Sequence, residues 1–232
     1  MNLNTQDQAE LNHFKTLSET WWDEEGPFRI LHAITPFRVA FIKEKVEFLK
    51  GLRILDVGCG GGLLCEPLAR LGADVVGIDP VKENIEVAQS HAKEMDLNIT
   101  YLPYAIEDLP SDFTSFDIIV ASEIIEHVND PKGFLKACVE RLSPQGCLVM
   151  TTFNKTLKSY LLGVLIAEHV LGWAPRGTHS WEKFIPPEDL TKQLLALGLE
   201  KQALTGLKYN PFICDWEFSP STDVNYFLWA GR

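Results

Sequence analysis

The chain is predicted to be an α/β protein with a mostly parallel sheet and crossover helices. Three observations predict it. Short apolar runs alternate in order with longer helical stretches, the pattern of strand–helix–strand units. The first run, Arg53-Ile-Leu-Asp-Val57, ends in glycines at alternate positions, Gly58, Gly60 and Gly62. The second, Asp74 to Asp79, ends in a carboxylate 21 residues after Gly58. Glycines at a strand-to-helix turn let backbone approach a ligand where a Cβ would clash, and an acid ending the next strand can accept hydrogen bonds from ribose hydroxyls. Together they describe a pocket for an adenosine cofactor.

The elements follow in order. Residues 1–50 read as a helical segment preceding the sheet, with Trp21-Trp22 and the turn Asp23-Glu-Glu-Gly-Pro27 closing its first helix. Strands are expected at 53–57, 74–79, 99–103, 116–121 and 146–152, and helices at 62–71, 81–95, 131–142 and 187–197. Arg141-Leu-Ser-Pro-Gln-Gly146 reads as a helix end, a turn and a strand start. Two late strands are expected at 199–207 and 224–231, and residues 154–186 read as an inserted subdomain after strand five. The main domain is therefore expected over 51–232.

Composition bounds the function. The 232 residues suit one α/β unit, and 46% hydrophobic residues suffice for its core. A formal charge of −11 argues against nucleic acid, which needs a basic face. The five cysteines (59, 65, 138, 147 and 214) have no paired or metal spacing and read as buried thiols in a reducing compartment. Met1-Asn-Leu-Asn-Thr-Gln-Asp7 resembles neither a secretory signal nor a transit peptide. No run of apolar residues is long enough to span a bilayer.

The glycine spacing selects the cofactor. A nicotinamide fingerprint is G-x-G-x-x-G, whereas this chain has G-x-G-x-G preceded by Asp56. An acid beside a pyrophosphate is unfavourable, but it suits the amino group of a methionine. The D-x-G-x-G-x-G pattern with its downstream acid resembles the class I S-adenosylmethionine-dependent methyltransferases. That resemblance implies a Rossmann-like, seven-stranded, mostly parallel sheet with a reversed terminal strand, N-terminal helices and a helical insertion after strand five. It assigns Asp56, Gly58, Gly60 and Asp79 to the cofactor. In Tyr104-Ala-Ile-Glu-Asp-Leu-Pro110 it places Ile106 and Glu107 at the adenine, beside a capped-helix reading for Asp108. Ser122 ends strand four, where open α/β sheets bind ligands.

Ser122-Glu-Ile-Ile-Glu-His127 adds chemistry. In a helical turn Glu123 and Glu126 share a face, with His127 adjacent. Two carboxylates and an imidazole beside a methyl donor suit a divalent cation, and oxygen-rich ligation favours Mg²⁺ or Mn²⁺. The competing reading is that Glu-His before Val-x-Asp-Pro is common in methyltransferases that bind no metal. A general base is then needed, and His127 and His179 are the candidates, unless each is merely a packed loop histidine.

Further pieces narrow the resemblance: Trp21-Trp-Asp23, Leu31-His32, Pro36-Phe-Arg38, Phe153-Asn154, Lys158-Ser159, Arg176-Gly-Thr-His179, Lys183-Phe-Ile-x-Pro187, Thr205-Gly-Leu-x-Tyr-Asn-Pro211 and Asp223-Val-Asn-Tyr226. From about residue 9 to 230 the chain resembles the bacterial ubiquinone-biosynthesis O-methyltransferases. The resemblance implies methyl transfer from S-adenosylmethionine to a ring hydroxyl of 2-polyprenyl-6-hydroxyphenol and of 3-demethylubiquinol. It implies that Arg38, Gly58, Asp79 and Ser122 hold cofactor positions, Ser122 standing where some relatives have Met. It implies that Glu123, Glu126 and His127 match metal positions of eukaryotic members, so Mg²⁺ joins S-adenosylmethionine as an expected cofactor. A chelated cation would stabilise a phenolate and aim one oxygen at the sulfonium methyl.

The insertion supports a membrane expectation. Tyr160 to Ala167 is apolar all round and too short to span. Lys155, Lys158, Arg176 and Lys183 against Glu168 and Glu182 leave it at about +2, suited to anionic membrane lipids. The expected partners are a polyprenyl phenol or quinol, those lipids and other ubiquinone-biosynthesis enzymes. The expected location is bacterial cytoplasm, at the inner face of the cytoplasmic membrane. The alternative for the helix is a cap on the active site. The alternatives for the chain are a methyltransferase of another small phenol or catechol, a dehydrogenase, and a non-catalytic lipid-binding subunit.

Overall fold

A computed structural model describes residues 8–161 and 181–232. The N-terminal segment forms α1 (Gln8–Leu17), a single 3₁₀ turn (Ser18–Thr20) and α2 (Arg29–Lys45). Alternation follows: β1 (Arg53–Val57), α3 (Cys65–Arg70), β2 (Asp74–Ile78), α4 (Lys82–Glu94), β3 (Thr100–Leu102), β4 (Phe116–Ser122), α5 (Pro131–Arg141) and β5 (Leu142–Phe153). Beyond β5 come the one-turn α6 (Leu157–Ser159), α7 (Pro187–Ala196), β6 (Glu200–Asn210), β7 (Asp215–Ser219) and β8 (Asn225–Gly231).

The strands form one sheet in the order β3-β2-β1-β4-β5-β8-β6-β7. The first five pair in parallel, and β8 runs antiparallel between β5 and β6. This is the expected mostly parallel sheet with a reversed terminal strand. It carries one strand more than the sequence reading held: β7 pairs with the far end of β6. Its residues are mostly exposed or half-exposed, so no apolar run marked it.

Three further differences have local causes. Helix α3 starts at Cys65 rather than 62, because Gly62 takes a left-handed φ of 89° and delays the helix. Strand β5 begins at Leu142 rather than 146, since Phe116 pairs with Leu142 before the register shifts to Ile118 with Cys147. The turn expected at 143–146 is thus a bulge within the strand. Cys214 is exposed on the β6–β7 hairpin, unlike the other four cysteines.

Strand alternation divides the core. Leu55, Val57, Ile119 and Ala121 face α5 and α7, while Ile54, Ile118 and Val120 face α2, α3 and α4. A third, small cluster joins Trp21 and Phe28 to Leu63, where the N-terminal segment meets the glycine loop.

Tyr101 explains two glycines. It pairs with Gly77 across β2–β3, where an added Cβ would lie 2.7 Å from its Cδ1. A Cβ on Gly62 would lie 2.3 Å from its Oη. That buried hydroxyl has no hydrogen-bond partner among the described residues. Gly62→Ala should therefore destabilise the chain by about 2 kcal/mol or more, from the left-handed backbone and the clash together. Tyr101→Phe should be near neutral and should recover part of the Gly62→Ala loss, measured by urea unfolding. Additive losses in the double variant would contradict this packing.

Candidate active site

The carboxyl ends of β1, β2 and β4 open into a cavity of about 210 Å³. Its floor includes Asp56, Gly58, Asp79 and Ser122, and residues between Leu11 and Arg38 of the N-terminal segment close it from outside. The floor lies at the sheet edge where parallel strands deliver ligands to helix starts.

The glycine loop is built for close approach. Gly58 has φ 72°, and a Cβ there would come within 2.8 Å of Ile124 Cδ1. Gly58 and Cys59 both donate backbone N–H to Ile78 O, at 2.8 and 2.9 Å, folding the loop back over β2. Gly60 does not face the cavity. It lies under Trp21, whose ring would be 2.3 Å from an added Cβ, and its N–H donates to Asp79 Oδ2 at 3.1 Å.

Asp79 is buried and heavily bonded. Besides Gly60, its Oδ1 accepts from Val81 N at 2.8 Å and from Asn84 Nδ2 at 3.2 Å. Three of roughly four acceptor positions of the carboxylate are thereby filled, leaving room on Oδ2. Burial pushes its carboxyl up to about 6, opposed by the bonds from Val81, Gly60 and Asn84.

The opposite wall is ionic. Burial also pushes Asp56 up to about 6, opposed by the Cys65 thiol bond and Arg38, while Asp79 adds to the rise. Cys65 Sγ donates to Asp56 Oδ2 at 3.2 Å. Arg38 Nη2 lies 3.4 Å from Glu123 Oε1, an ion pair too long for a strong hydrogen bond. Burial lowers the Arg38 pKa against the pull of Glu123, Asp56 and Glu126. Its Nε is buried with no hydrogen-bond partner among the described residues.

Glu123 has a left-handed φ of 54°. Its N–H donates to Thr151 O at 2.9 Å, and its Oε1 accepts from Thr151 Oγ1 at 2.7 Å. Ser122 Oγ bonds Thr151 Oγ1 at 2.7 Å. Glu126 lies behind the wall, its Oε2 accepting from Thr152 Oγ1 at 2.9 Å. His127 reaches the cavity edge-on to Phe14, with ring centroids 5.5 Å apart.

The fold thus brings Arg38, Asp56, Gly58, Asp79, Ile106, Glu107, Ser122, Glu123 and His127 to one cavity. Gly60 and Glu126 support it from outside, and His179 lies outside the described residues. Among the described residues no three His, Cys, Asp or Glu side chains converge as a metal-binding set. Asn84, Ser18 and Thr151 contribute without any role drawn from the sequence, and Trp21, named there only for its helix end and motif, stacks on Phe28 at 3.8 Å. The spacing of Asn84, five residues past the strand-end acid, is the one local signal that could have found it.

Comparison with known proteins follows the same lines. A family described as a methyltransferase domain matches residues 32–204. The ubiquinone biosynthesis O-methyltransferase of Azorhizobium caulinodans is 44% identical over 235 residues, spanning 97% of this chain and 93% of that one. The mitochondrial ubiquinone biosynthesis O-methyltransferase of Rattus norvegicus is also 44% identical, over 98% of this chain and 70% of its own length. In fold, the chain is similar to magnesium protoporphyrin IX methyltransferase from Synechocystis, with a TM-score of 0.73 at 21% identity over 97% of this chain and 100% of that one.

The two raised carboxyls give a pH signature. The folded chain keeps their protons after the unfolded chain has lost them, so it binds more protons between about pH 4 and 6. Stability of the ligand-free chain from these groups should fall as pH rises through that window. Asp56→Asn should raise unfolding free energy at pH 7 by on the order of 1–3 kcal/mol and flatten the fall in urea titrations at pH 4.5 and 7. Parallel curves for both proteins would contradict the assigned shift.

Proposed function

The chain belongs to the ubiquinone biosynthesis O-methyltransferases and is S-adenosylmethionine-dependent, and we propose that it methylates a ring hydroxyl of 2-polyprenyl-6-hydroxyphenol and 3-demethylubiquinol at this cavity. One observation carries the assignment of the site. A buried guanidinium with an unsatisfied Nε and a buried carboxylate with an open acceptor position face one cavity beside a glycine loop. Arg38 suits a carboxylate, Asp56 an ammonium group and Asp79 a ribose hydroxyl. Ile106, Glu107 and the Ser122 backbone suit the adenosine end. Bound there, S-adenosylmethionine supplies an electrophilic sulfonium methyl.

The protein's own task is to hold the acceptor in line and take its proton. A phenol is a weak nucleophile while protonated, and His127 is the described imidazole that reaches the cavity. It therefore serves as general base, from a sheet edge rigid enough for positioning to supply much of the rate. A divalent cation on Glu123, Glu126 and His127 is the second reading. As arranged, Glu123 is committed to Arg38 and Thr151 and Glu126 to Thr152, so the set does not fit a cation and no step is derived through one.

A polyprenyl acceptor resides in the bilayer, so the enzyme meets it at the membrane surface. No described helix is long and apolar enough to cross a membrane. Leu157, Tyr160, Leu161 and Trp181 expose apolar side chains on either side of residues 162–180. Most of the apolar run 160–167 lies outside the described residues, as does Arg176. Those exposed flanks support the proposed lipid contact, at the inner face of the cytoplasmic membrane.

The test is radiolabelled methyl transfer from S-adenosylmethionine to a short-tail demethylubiquinol, and to a long-tail one in anionic liposomes. Metal-depleted enzyme in excess chelator should transfer methyl, and the enzyme should float with the liposomes. His127→Ala should slow turnover about 100-fold or more. Arg38→Ala should weaken cofactor binding about tenfold or more. Activity lost in chelator and restored by Mg²⁺ would move His127 to metal ligation. No transfer to either quinol would overturn the substrate assignment, and failure to float would overturn the lipid contact.

A further inference from the structure

We propose that Asn84 is a positioning residue that couples docking of the N-terminal segment to Asp79, so that cofactor binding and closure of that segment reinforce each other. The inference rests on the reading of Asp79 as a cofactor ligand.

Asn84 is 1% exposed, in the first turn of α4. Its amide joins two parts of the molecule that are far apart in sequence. On one side its Oδ1 accepts from Trp21 Nε1 at 2.9 Å and from Ser18 Oγ at 2.7 Å. On the other its Nδ2 donates to Asp79 Oδ1 at 3.2 Å. The indole N–H can only donate, so it fixes the amide oxygen on its own side and turns the nitrogen to Asp79. A carboxylate at this position would accept from Trp21 but could not donate to Asp79, and an apolar side chain could do neither.

The N-terminal segment attaches to the cofactor machinery at further contacts, besides the stack of Trp22 on His91 in the last turn of α4. Trp22 Nε1 donates to Gly61 O at 3.0 Å. Trp21 covers Gly60 and Gly61, where any Cβ would collide with it at 2.3–2.4 Å. Lys15 pairs with Glu83 at 2.7 Å, next to Asn84, though both are substantially exposed and the pair adds little. These anchors fall on the glycine loop and the start of α4, the two elements that also bond Asp79.

The segment packs apart from the two large cores. Trp21, Phe28 and Leu63 form a small buried cluster with Phe14, Leu17, Trp22, Leu31 and Val87 partly buried against it. A unit packed separately from the main core can open without unfolding the rest. Yet residues from Leu11 to Leu31 form the outer wall of the cavity. A cofactor seated against Asp79 would hold that carboxylate, Asn84 and Trp21 in one arrangement. Linkage then requires the docked segment to favour the cofactor by the same factor.

Hydrogen exchange of residues 8–28, with and without S-adenosylhomocysteine, tests the coupling alongside calorimetric affinities. In the wild type the ligand should slow exchange across this segment. Asn84→Ala should weaken binding about tenfold and abolish the ligand-dependent slowing. Trp21→Phe keeps the ring over the glycines but lacks the N–H, and should reduce both effects partly. The double variant should bind no more weakly than Asn84→Ala alone. Should Asn84→Ala fail to fold, Trp21→Phe and Ser18→Ala carry the same measurement. Wild-type affinity with intact ligand-dependent protection in folded Asn84→Ala would overturn the proposal, as would additive losses in the double variant. Asp79→Ala separates the two readings. If it binds like wild type, the cofactor role of Asp79 fails; if it loses binding while Asn84→Ala does not, the coupling alone fails.

Discussion

The arrangement turns on one buried carboxylate. Asp79 sits in an apolar surround that raises its proton affinity, and three N–H groups hold it. A buried charge is costly unless hydrogen-bonded, so each donor must be delivered by a fixed piece of chain. Gly60 brings the glycine loop, Val81 the turn after β2, and Asn84 the first turn of α4. The loop can reach only because Gly58 and Gly60 take left-handed backbone, and because Gly58 and Cys59 fold onto Ile78 O. Strand, loop, helix start and N-terminal segment thus share a single anchor.

Across the cavity the balance is ionic. Arg38 is one buried cation facing Asp56, Glu123 and Glu126, and burial still lowers its proton affinity. Its pair with Glu123 is long, and Glu123 adopts a backbone conformation unfavourable for a residue with a side chain. Thr151 holds Glu123 there through both backbone and side chain. Strain kept in place by neighbouring bonds is common where a site is pre-set for a ligand. On the proposed reading, one zwitterionic end of the cofactor would complete Arg38 and Asp56 together.

Much of this was legible beforehand because the signals were local. Arg53-Ile-Leu-Asp-Val57 is too short and apolar to be anything but a buried strand, and its glycines mark the turn that follows. Asp79 announced itself by ending the next strand. The sheet edge, and with it Ser122 and Glu123, followed from the order of elements. What stayed hidden depends on distant pairing. β7 has no apolar run of its own and exists only because β6 overshoots β8 and offers it an edge. The Ser143–Gly146 bulge looked like a turn because Ser-Pro-Gln-Gly has turn chemistry, and Phe116 supplies the pairing that keeps it in the strand. Trp21-Trp22 read as the end of a helix. Their partners, Asn84 and Gly61, lie 63 and 39 residues away, beyond any local pattern. Glu123, Glu126 and His127 read as one face, but the 3₁₀ turn Ile125–His127 and the bonds to Thr151 and Thr152 send the two carboxylates to different partners.

The most direct measurement is the affinity for S-adenosylhomocysteine, by calorimetry, across pH 5 to 7. If an ionised Asp79 receives the ribose, the ligand must expel a proton held with a pKa of about 6. Affinity should then rise by up to about tenfold from pH 5 to pH 7, with proton release detected in buffers of different ionisation enthalpy. A flat affinity over that range, with no proton released, would contradict the placement of the cofactor on this carboxylate.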